Sequence, residues 1–538
     1  MDDHAGVAEP AQIDAVVVGA GFAGLYALYR LRAMGLSVRV FEAGDGVGGT
    51  WYWNRYPGAR CDIESVDYSY SFSPELEQEW EWTERYPSQP ELLRYLNHVA
   101  DRFELRPHIT LSTRVRAAEF DGDRWLVSTD YEQLRARFVI MATGCLSDAR
   151  TPDLPGLADF TGSAFHTARW PEPEPDLTDR RVGVIGTGSS GVQVIPMLAE
   201  RAGHVHVFQR TPAYSLPARN RALPADELAA IKSTYPERRA HSRRTIGGTV
   251  GLSHEVSQNP TLSVNPDLRR AEYARRWSYG GQAMVGAFVD LLTDPAANEC
   301  AATFIRDRIA ETVRNPDVAE ALTPRDYPFA AKRPCIDTNY YDTYNRDDVT
   351  LVDLRAEPLR TITPTGIATT RAEYDLDTLV LATGFDAYTG ALARIHIAGR
   401  DGVTLADKWA GGPRAYLGCT LAGFPNLFLV TGPGSPSVLT NMVLAIEQHI
   451  DWIADLLTHM DKHGFERAEP LVAAESAWAE QSDTLARRTL YYQANSWFLG
   501  ANVPGKPRLF LPYVGGLGRF GKHLTTVSDG GYQELIFD

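Results

Sequence analysis

Cysteine is scarce in this chain, with five among 538 residues. Cys61, Cys145, Cys300, Cys335 and Cys419 are far apart and form no C-x-x-C or C-x-x-x-x-C pair. That spacing excludes a zinc ribbon and a dithiol redox centre, and it points to a reducing compartment. Basic runs are absent as well. Lys and Arg total 53 against 68 Asp and Glu, a formal net charge of -15. Such a balance argues against a nucleic acid partner and against an anionic membrane surface. There is no uncharged apolar run of eighteen residues, so no membrane span is expected. The first dozen residues, MDDHAGVAEPAQ, have neither a basic n-region nor an apolar h-region, so export is not indicated and a cytoplasmic protein is expected.

What remains is a long chain of globular composition, 44% hydrophobic and 22% charged, too long for one ordinary core. Residues 13–44, IDAVVVGAGFAGLYALYRLRAMGLSVRVFEAG, predict strand, glycine turn, helix and strand. Gly19 supplies the tight turn, Gly21 the close approach to a pyrophosphate, and Gly24 close helix packing, with the helix N-terminus facing the anion. Glu42 ends the second strand, where a carboxylate accepts hydrogen bonds from a ribose diol. The same device returns at residues 180–212 with Gly186, Gly188 and Gly191. Twenty-three residues beyond the first glycine stands Glu42 in one unit and Gln209 in the other, followed by Arg210 and Thr211. A carboxylate repels a ribose 2'-phosphate, whereas a guanidinium and a hydroxyl hold one. The first unit is therefore expected to bind an ADP-ribose without that phosphate, and the second to bind NADP.

Two apolar strands close on the same tripeptide, RARFVIMATG at 135–144 and DLDTLVLATG at 375–384, which suits crossings between two nucleotide units. Between the second fingerprint and the later strand, residues 222–325 carry apolar positions at threes and fours and are expected to be helical. That stretch either covers a substrate cavity or enlarges the second unit. After residue 385 the strand LFLVTG and the helix NMVLAIEQHIDWIADLLTHM are expected to return and complete the first unit.

A protein with two dinucleotide sites is a disulfide reductase, a simple NAD(P)H:acceptor reductase or a monooxygenase. The first needs two close cysteines beside a flavin, and here Gly48-Gly49 is followed by Thr50-Trp51, with Cys61 alone. The choice between the others turns on FTGSAFHTARWP, residues 160–171, which fits F-x-G-x-x-x-H-x-x-x-W-P at Phe160, Gly162, His166, Trp170 and Pro171. Upstream, GGTWYWNRYPGARCD fits G-x-W-x-x-x-x-Y-P-G-x-x-x-D at Gly49, Trp51, Tyr56, Pro57, Gly58 and Asp62. Both stretches resemble the signatures of the type I Baeyer-Villiger monooxygenases, of phenylacetone and cyclohexanone monooxygenase type, and the resemblance extends over nearly the whole chain.

The resemblance implies an α/β protein with two Rossmann-like dinucleotide-binding domains and a helical insertion in the second. FAD would occupy a domain built from 1–145 and 385–538, and NADPH one built from 146–221 and 326–384, with 222–325 inserted. It implies a reaction in which NADPH reduces the flavin, oxygen adds at its C4a position, and the anionic peroxide attacks a ketone. The tetrahedral adduct then rearranges to an ester or lactone, and sulfides are a side substrate. Arg333 is then the cation that keeps the oxygen adduct charged, and Asp62 its partner. Gly49, Thr50, Trp51 and Tyr56 belong to the flavin's surroundings. Ser189, Ser190 and Gln193 belong to the NADP turn, and Lys332 joins Arg210 and Thr211 at the 2'-phosphate. Trp497 holds the nicotinamide ribose, and Leu439 and Met442 touch substrate. His166, with Trp170, anchors the crossing between domains rather than acting as a base. No metal is called for, and a monomer or weak homodimer is expected.

Overall fold

The structure is a computed structural model that describes residues 9–252 and 255–538. Its frame is two separate sheets. The first has eight strands and is centred on β1 (Ala11–Val18), which pairs in parallel with β2 (Val38–Phe41) on one side and β3 (Gln133–Met141) on the other. Val18 lies opposite both Phe41 and Met141. The three strands therefore end at one level, the edge at which open α/β sheets bind ligands. The continuous apolar run AVVV of β1 is buried on both faces, as expected of a central parallel strand. α1 (Phe22–Ala33) follows the glycine turn, and the late segment Leu427–Leu429 joins β3, so the C-terminal part of the chain does return to this sheet.

The second sheet has five parallel strands. β4 (Ser163–His166), β5 (Arg181–Ile185), β6 (His204–Gln209), β7 (Val349–Asp353) and β8 (Thr378–Leu381) lie in the spatial order β7-β6-β5-β8-β4. α2 (Ser189–Ala199) follows β5 as α1 follows β1.

The two glycine turns superimpose in their physical logic. Gly19 and Gly186 have φ of +105° and +109°, which side chains other than glycine rarely adopt. A Cβ on either would lie 2.6 Å from the Ala142 carbonyl or 2.5 Å from the Ala382 carbonyl. Those two carbonyls belong to the paired Ala-Thr-Gly tripeptides, so each tripeptide is the floor against which a glycine turn closes. Gly19 N–H bonds Phe41 O and Gly186 N–H bonds Phe208 O, which makes Glu42 and Gln209 spatial counterparts.

The helical stretch 222–325 serves both sheets. Its first part, with Leu228 and Tyr235, enters the core of the first sheet. There Arg238, on α3 (Tyr235–Ser242), makes a two-pronged bond to Asp67 at 2.8 Å on each arm. The second part, including Tyr273, Phe288 and α4 (Pro295–Thr312), packs into the core of the second sheet. Composition predicts the helices but carries no signal for this division. Among the described residues, no helix is long and apolar enough to cross a membrane.

A severe steric constraint lies at Gly24, where a Cβ would overlap the Gly19 carbonyl outright. Gly24→Ala is expected to destabilise the first sheet by about 1–3 kcal/mol through overpacking, or to push α1 off the turn. A lower melting temperature together with reduced retained FAD in the purified protein would show it.

Candidate active site between two dinucleotide cradles

A continuous cavity of about 980 Å³ runs between the C-terminal edges of the two sheets. It is lined from the first sheet by Gly19, Gly21, Glu42, Gly49, Thr50, Trp51, Tyr56 and Asp62. From the second it is lined by Gly186, Gly188, Ser189, Ser190, Gln193, Arg210, Thr211, Lys332 and Arg333. Met442 and Trp497 close it. Gly24 and Gly191 stay behind the turns, where a Cβ would run into the Gly19 and Gly186 carbonyls, and so act on helix packing.

Both helices that face the cavity are built to receive an anion. α1 and α2 begin at Gly21 and Gly188 with no side-chain cap and no acid in the first turn. Their first N–H groups are thus left for a ligand to satisfy. A Cβ on Gly188 would meet nothing within 4 Å, so the chain leaves open space where a pyrophosphate belongs. Glu42 is buried, and its two oxygens accept Ala20 N–H and Gly44 N–H at 2.8 Å each. Burial raises its pKa, and the two amides oppose that rise. Each oxygen keeps a lone pair for a ribose hydroxyl. Gln209 instead turns its amide away to the Ala321 carbonyl at 2.8 Å. Arg210 is exposed at the rim with Thr211 behind it. These residues fit an adenine dinucleotide without a 2'-phosphate at the first sheet and one with it at the second.

Lys332 and Arg333 point in different directions, as adjacent side chains of an extended segment do. Lys332 Nζ sits 4.3 Å from the centre of the Tyr327 ring. Burial, and then the nearby Arg210, lower its pKa. Lys332 and Arg210 thus bring two cations to one end of the cavity, with Asp326 acting weakly in the opposite sense on Lys332. Arg333 reaches the other way and grips Asp62 with two arms, Nε to Oδ2 at 2.6 Å and Nη2 to Oδ1 at 2.9 Å. Its third nitrogen, Nη1, donates to the Val438 carbonyl. Burial works against the guanidinium charge, but the Asp62 carboxylate outweighs it and the pKa moves up. Arg333 is therefore a permanent cation in the cavity wall.

Among the aromatics, Trp51 and Tyr56 are buried. Tyr56 donates to Gln193 Oε1 at 2.7 Å, and burial pushes its pKa up to about 12, so it stays a neutral donor. His166 ends β4 outside the cavity. Its Nδ1 accepts Ala168 N–H at 3.0 Å, and its Nε2 lies 3.3 Å from Thr383 Oγ1. Desolvation lowers its pKa, and with Nδ1 accepting a main-chain N–H the ring links β4 to the second Ala-Thr-Gly turn. Trp170 is buried in the second core beside Phe165. Leu439 does not line the cavity. It packs outside it, against the apolar cluster of Tyr388, Tyr491 and Phe498, and Val438 and Met442 take the cavity wall on either side of it.

Several lining residues carry no sequence signal strong enough to single them out. Cys145 and Leu146 follow the first Ala-Thr-Gly, and Phe385 follows the second. The repeated tripeptide marks the right places, but only the folded chain shows that residues just beyond it reach the cavity. The Val438 carbonyl is a main-chain acceptor and cannot be read from side-chain identity at all.

Comparison with known proteins agrees with this geometry. Residues 16–234 match the family model described as pyridine nucleotide-disulphide oxidoreductase. A Baeyer-Villiger monooxygenase of Pseudooceanicola batsensis is 41% identical over 535 residues, covering 98% of this chain and 97% of that protein. The solved structure titled oxidized steroid monooxygenase bound to NADP is 52% identical with a TM-score of 0.94, covering 98% of this chain and 99% of that one. A structure of OTEMO in complex with FAD and NADP is 41% identical, also with a TM-score of 0.94, and covers 98% and 99% of the two chains. The chain belongs to the type I Baeyer-Villiger monooxygenases. It is an FAD-dependent, NADPH-using flavoenzyme of that class.

The depressed Lys332 pKa sets a pH dependence. Lysine is charged below its pKa and neutral above it, so its hold on a 2'-phosphate is present at low pH and lost as pH rises through the lowered value. NADP+ affinity, read by titration, is expected to weaken at a pH below that at which an ordinary lysine titrates. Lys332→Met should flatten that limb of the profile.

Proposed function

We propose that this enzyme inserts one atom of molecular oxygen beside a ketone carbonyl, giving an ester or lactone at the expense of NADPH, with sulfide oxidation as a side activity. When bound, the flavin supplies reduction by NADPH and the activation of oxygen; the chain's own residues do the rest. The observation that carries this reading is the Arg333–Asp62 pair, which joins the two sheets at the wall of the cavity between both dinucleotide cradles.

Arg333 brings a cation that cannot give up its proton, so it stabilises negative charge on oxygen without protonating it. Asp62 holds the planar guanidinium by both arms, which fixes its direction as well as its charge. The Val438 carbonyl orients the third nitrogen from the turn just before the helix that Met442 begins. A thioether side chain is adaptable lining, suited to an apolar ketone of variable shape. Trp51, Tyr56 and Trp497 narrow the cavity and exclude water, which protects a reactive oxygen species from hydrolysis and proton leakage. At the other end, Arg210, Thr211 and Lys332 select NADPH over NADH. Ser189 and Ser190, in the first turn of α2, face the phosphates from the uncapped helix end. We place the enzyme in the cytoplasm as a monomer or weak homodimer with its five thiols reduced, consistent with five free cysteines.

The test is a panel of cyclic, aryl and steroidal ketones offered to FAD-loaded enzyme, with ester formed per NADPH consumed as the readout. Arg333→Ala is expected to lower ester formation by about 10²–10³, the scale on which one preorganised charge-stabilising donor acts. NADPH oxidation should continue. Ester formation at the parent rate by a fully flavin-loaded Arg333→Ala enzyme would defeat the assignment.

A further inference from the structure

The stretch from Trp51 to Ile63 is stitched through both cores. Trp51 is buried in the core of the first sheet, Tyr56 and Ala59 in the core of the second, and Cys61 and Ile63 in the first again. Asp62 is thus delivered to the cavity by a loop that has just returned from the other sheet. What holds the excursion in place is α2. Gly58 has φ +80°, and a Cβ there would lie 2.7 Å from the Gln193 carbonyl and 2.8 Å from Met197 Cγ, so the loop backbone rests directly on the helix. Gln193 then clasps the loop at two points with one side chain. Its Oε1 accepts the Tyr56 hydroxyl at 2.7 Å, and its Nε2 donates to the Arg60 carbonyl at 3.0 Å. Arg60 is two residues before Asp62. Only a group that donates and accepts from adjacent atoms can make both bonds, which is what a primary amide offers.

We infer that Gln193 and Tyr56 are a positioning pair that sets the placement of Asp62, and through it Arg333, relative to the first turn of α2 where the NADP pyrophosphate is received. Gln193 lies one turn along the helix from Ser189, so a shift of α2 on seating the dinucleotide is passed to the loop through the clasp. The inference rests on the functional reading above and gives Gln193 a task other than contact with the cofactor.

The experiment uses the FAD-loaded enzyme with Gln193→Leu, Gln193→Glu, Tyr56→Phe and the Tyr56→Phe/Gln193→Leu double variant. Two quantities are read: the NADP+ dissociation constant, from the change in flavin absorbance on titration, and the rate of hydrogen peroxide release per enzyme during NADPH turnover without ketone. Gln193→Leu is expected to raise the rate of peroxide release about fivefold, with the double variant no worse than Gln193→Leu alone. Gln193→Glu keeps the acceptor for Tyr56 but sets a carboxylate against the Arg60 carbonyl. Its peroxide release should return towards the parent's value as pH falls and the carboxyl regains a proton to donate. Weaker NADP+ binding with peroxide release unchanged would make Gln193 an ordinary cofactor ligand, and additive losses in the double variant would dissolve the pair; either outcome overturns the inference. If Gln193→Leu does not retain FAD, the pH recovery of Gln193→Glu decides alone, and its absence counts against the clasp. Because peroxide is measured without ketone, failure of every ketone in the panel would sink the functional reading and leave this test standing.

Discussion

A guanidinium and a carboxylate from segments packed into different cores meet at one cavity wall, and the rest of the site is arranged to keep them together and dry. Arg333 comes from a segment packed into the second core, while Asp62 lies between Cys61 and Ile63, both buried in the first. Removing either would leave a largely buried charge alone, which is costly in a way that replacing both is not. The pair is therefore a direct link between segments packed into the two cores. That link makes a local ion pair report on the global arrangement.

The two cradles show how one folding device is tuned to two ligands by a handful of positions. Both use a glycine with positive φ closing on the carbonyl of an Ala-Thr-Gly, and both present an uncapped helix end. They diverge at the end of the following strand. Glu42 is locked by main-chain amides facing the ribose position, whereas Gln209 turns away and leaves the rim to Arg210 and Lys332. The two strand ends thus differ in charge, the feature by which such cradles distinguish dinucleotides with and without a 2'-phosphate.

Reading the sequence as a line of residues captured the parts whose physics is local. Glycine spacing, strand-turn-helix succession, the acid at Glu42 and its lack at Gln209 are all consequences of neighbours in the chain, and they place both cradles correctly. The return of the C-terminal part to the first sheet follows from an apolar strand and a long amphipathic helix, and the structure has both. His166 lies where a tie between crossings belongs, bonded to the second Ala-Thr-Gly turn. Leu439 shows the limit: over residues 438–442, periodicity does not decide which side chains face the cavity, and here Val438, Thr440 and Met442 do.

Fold class and the presence of two Rossmann-like glycine turns were determined by sequence alone, because each depends on contacts within a few dozen residues. Three matters were decided only by tertiary structure: the clasp of Gln193 on the loop before Asp62, the Val438 carbonyl on Arg333, and the division of the 222–325 helices between two cores. Each joins segments far apart in the chain through main-chain atoms or through buried faces. Residue identity does not encode such a partner, since any carbonyl accepts a hydrogen bond and any apolar face suits either core until the chain has folded.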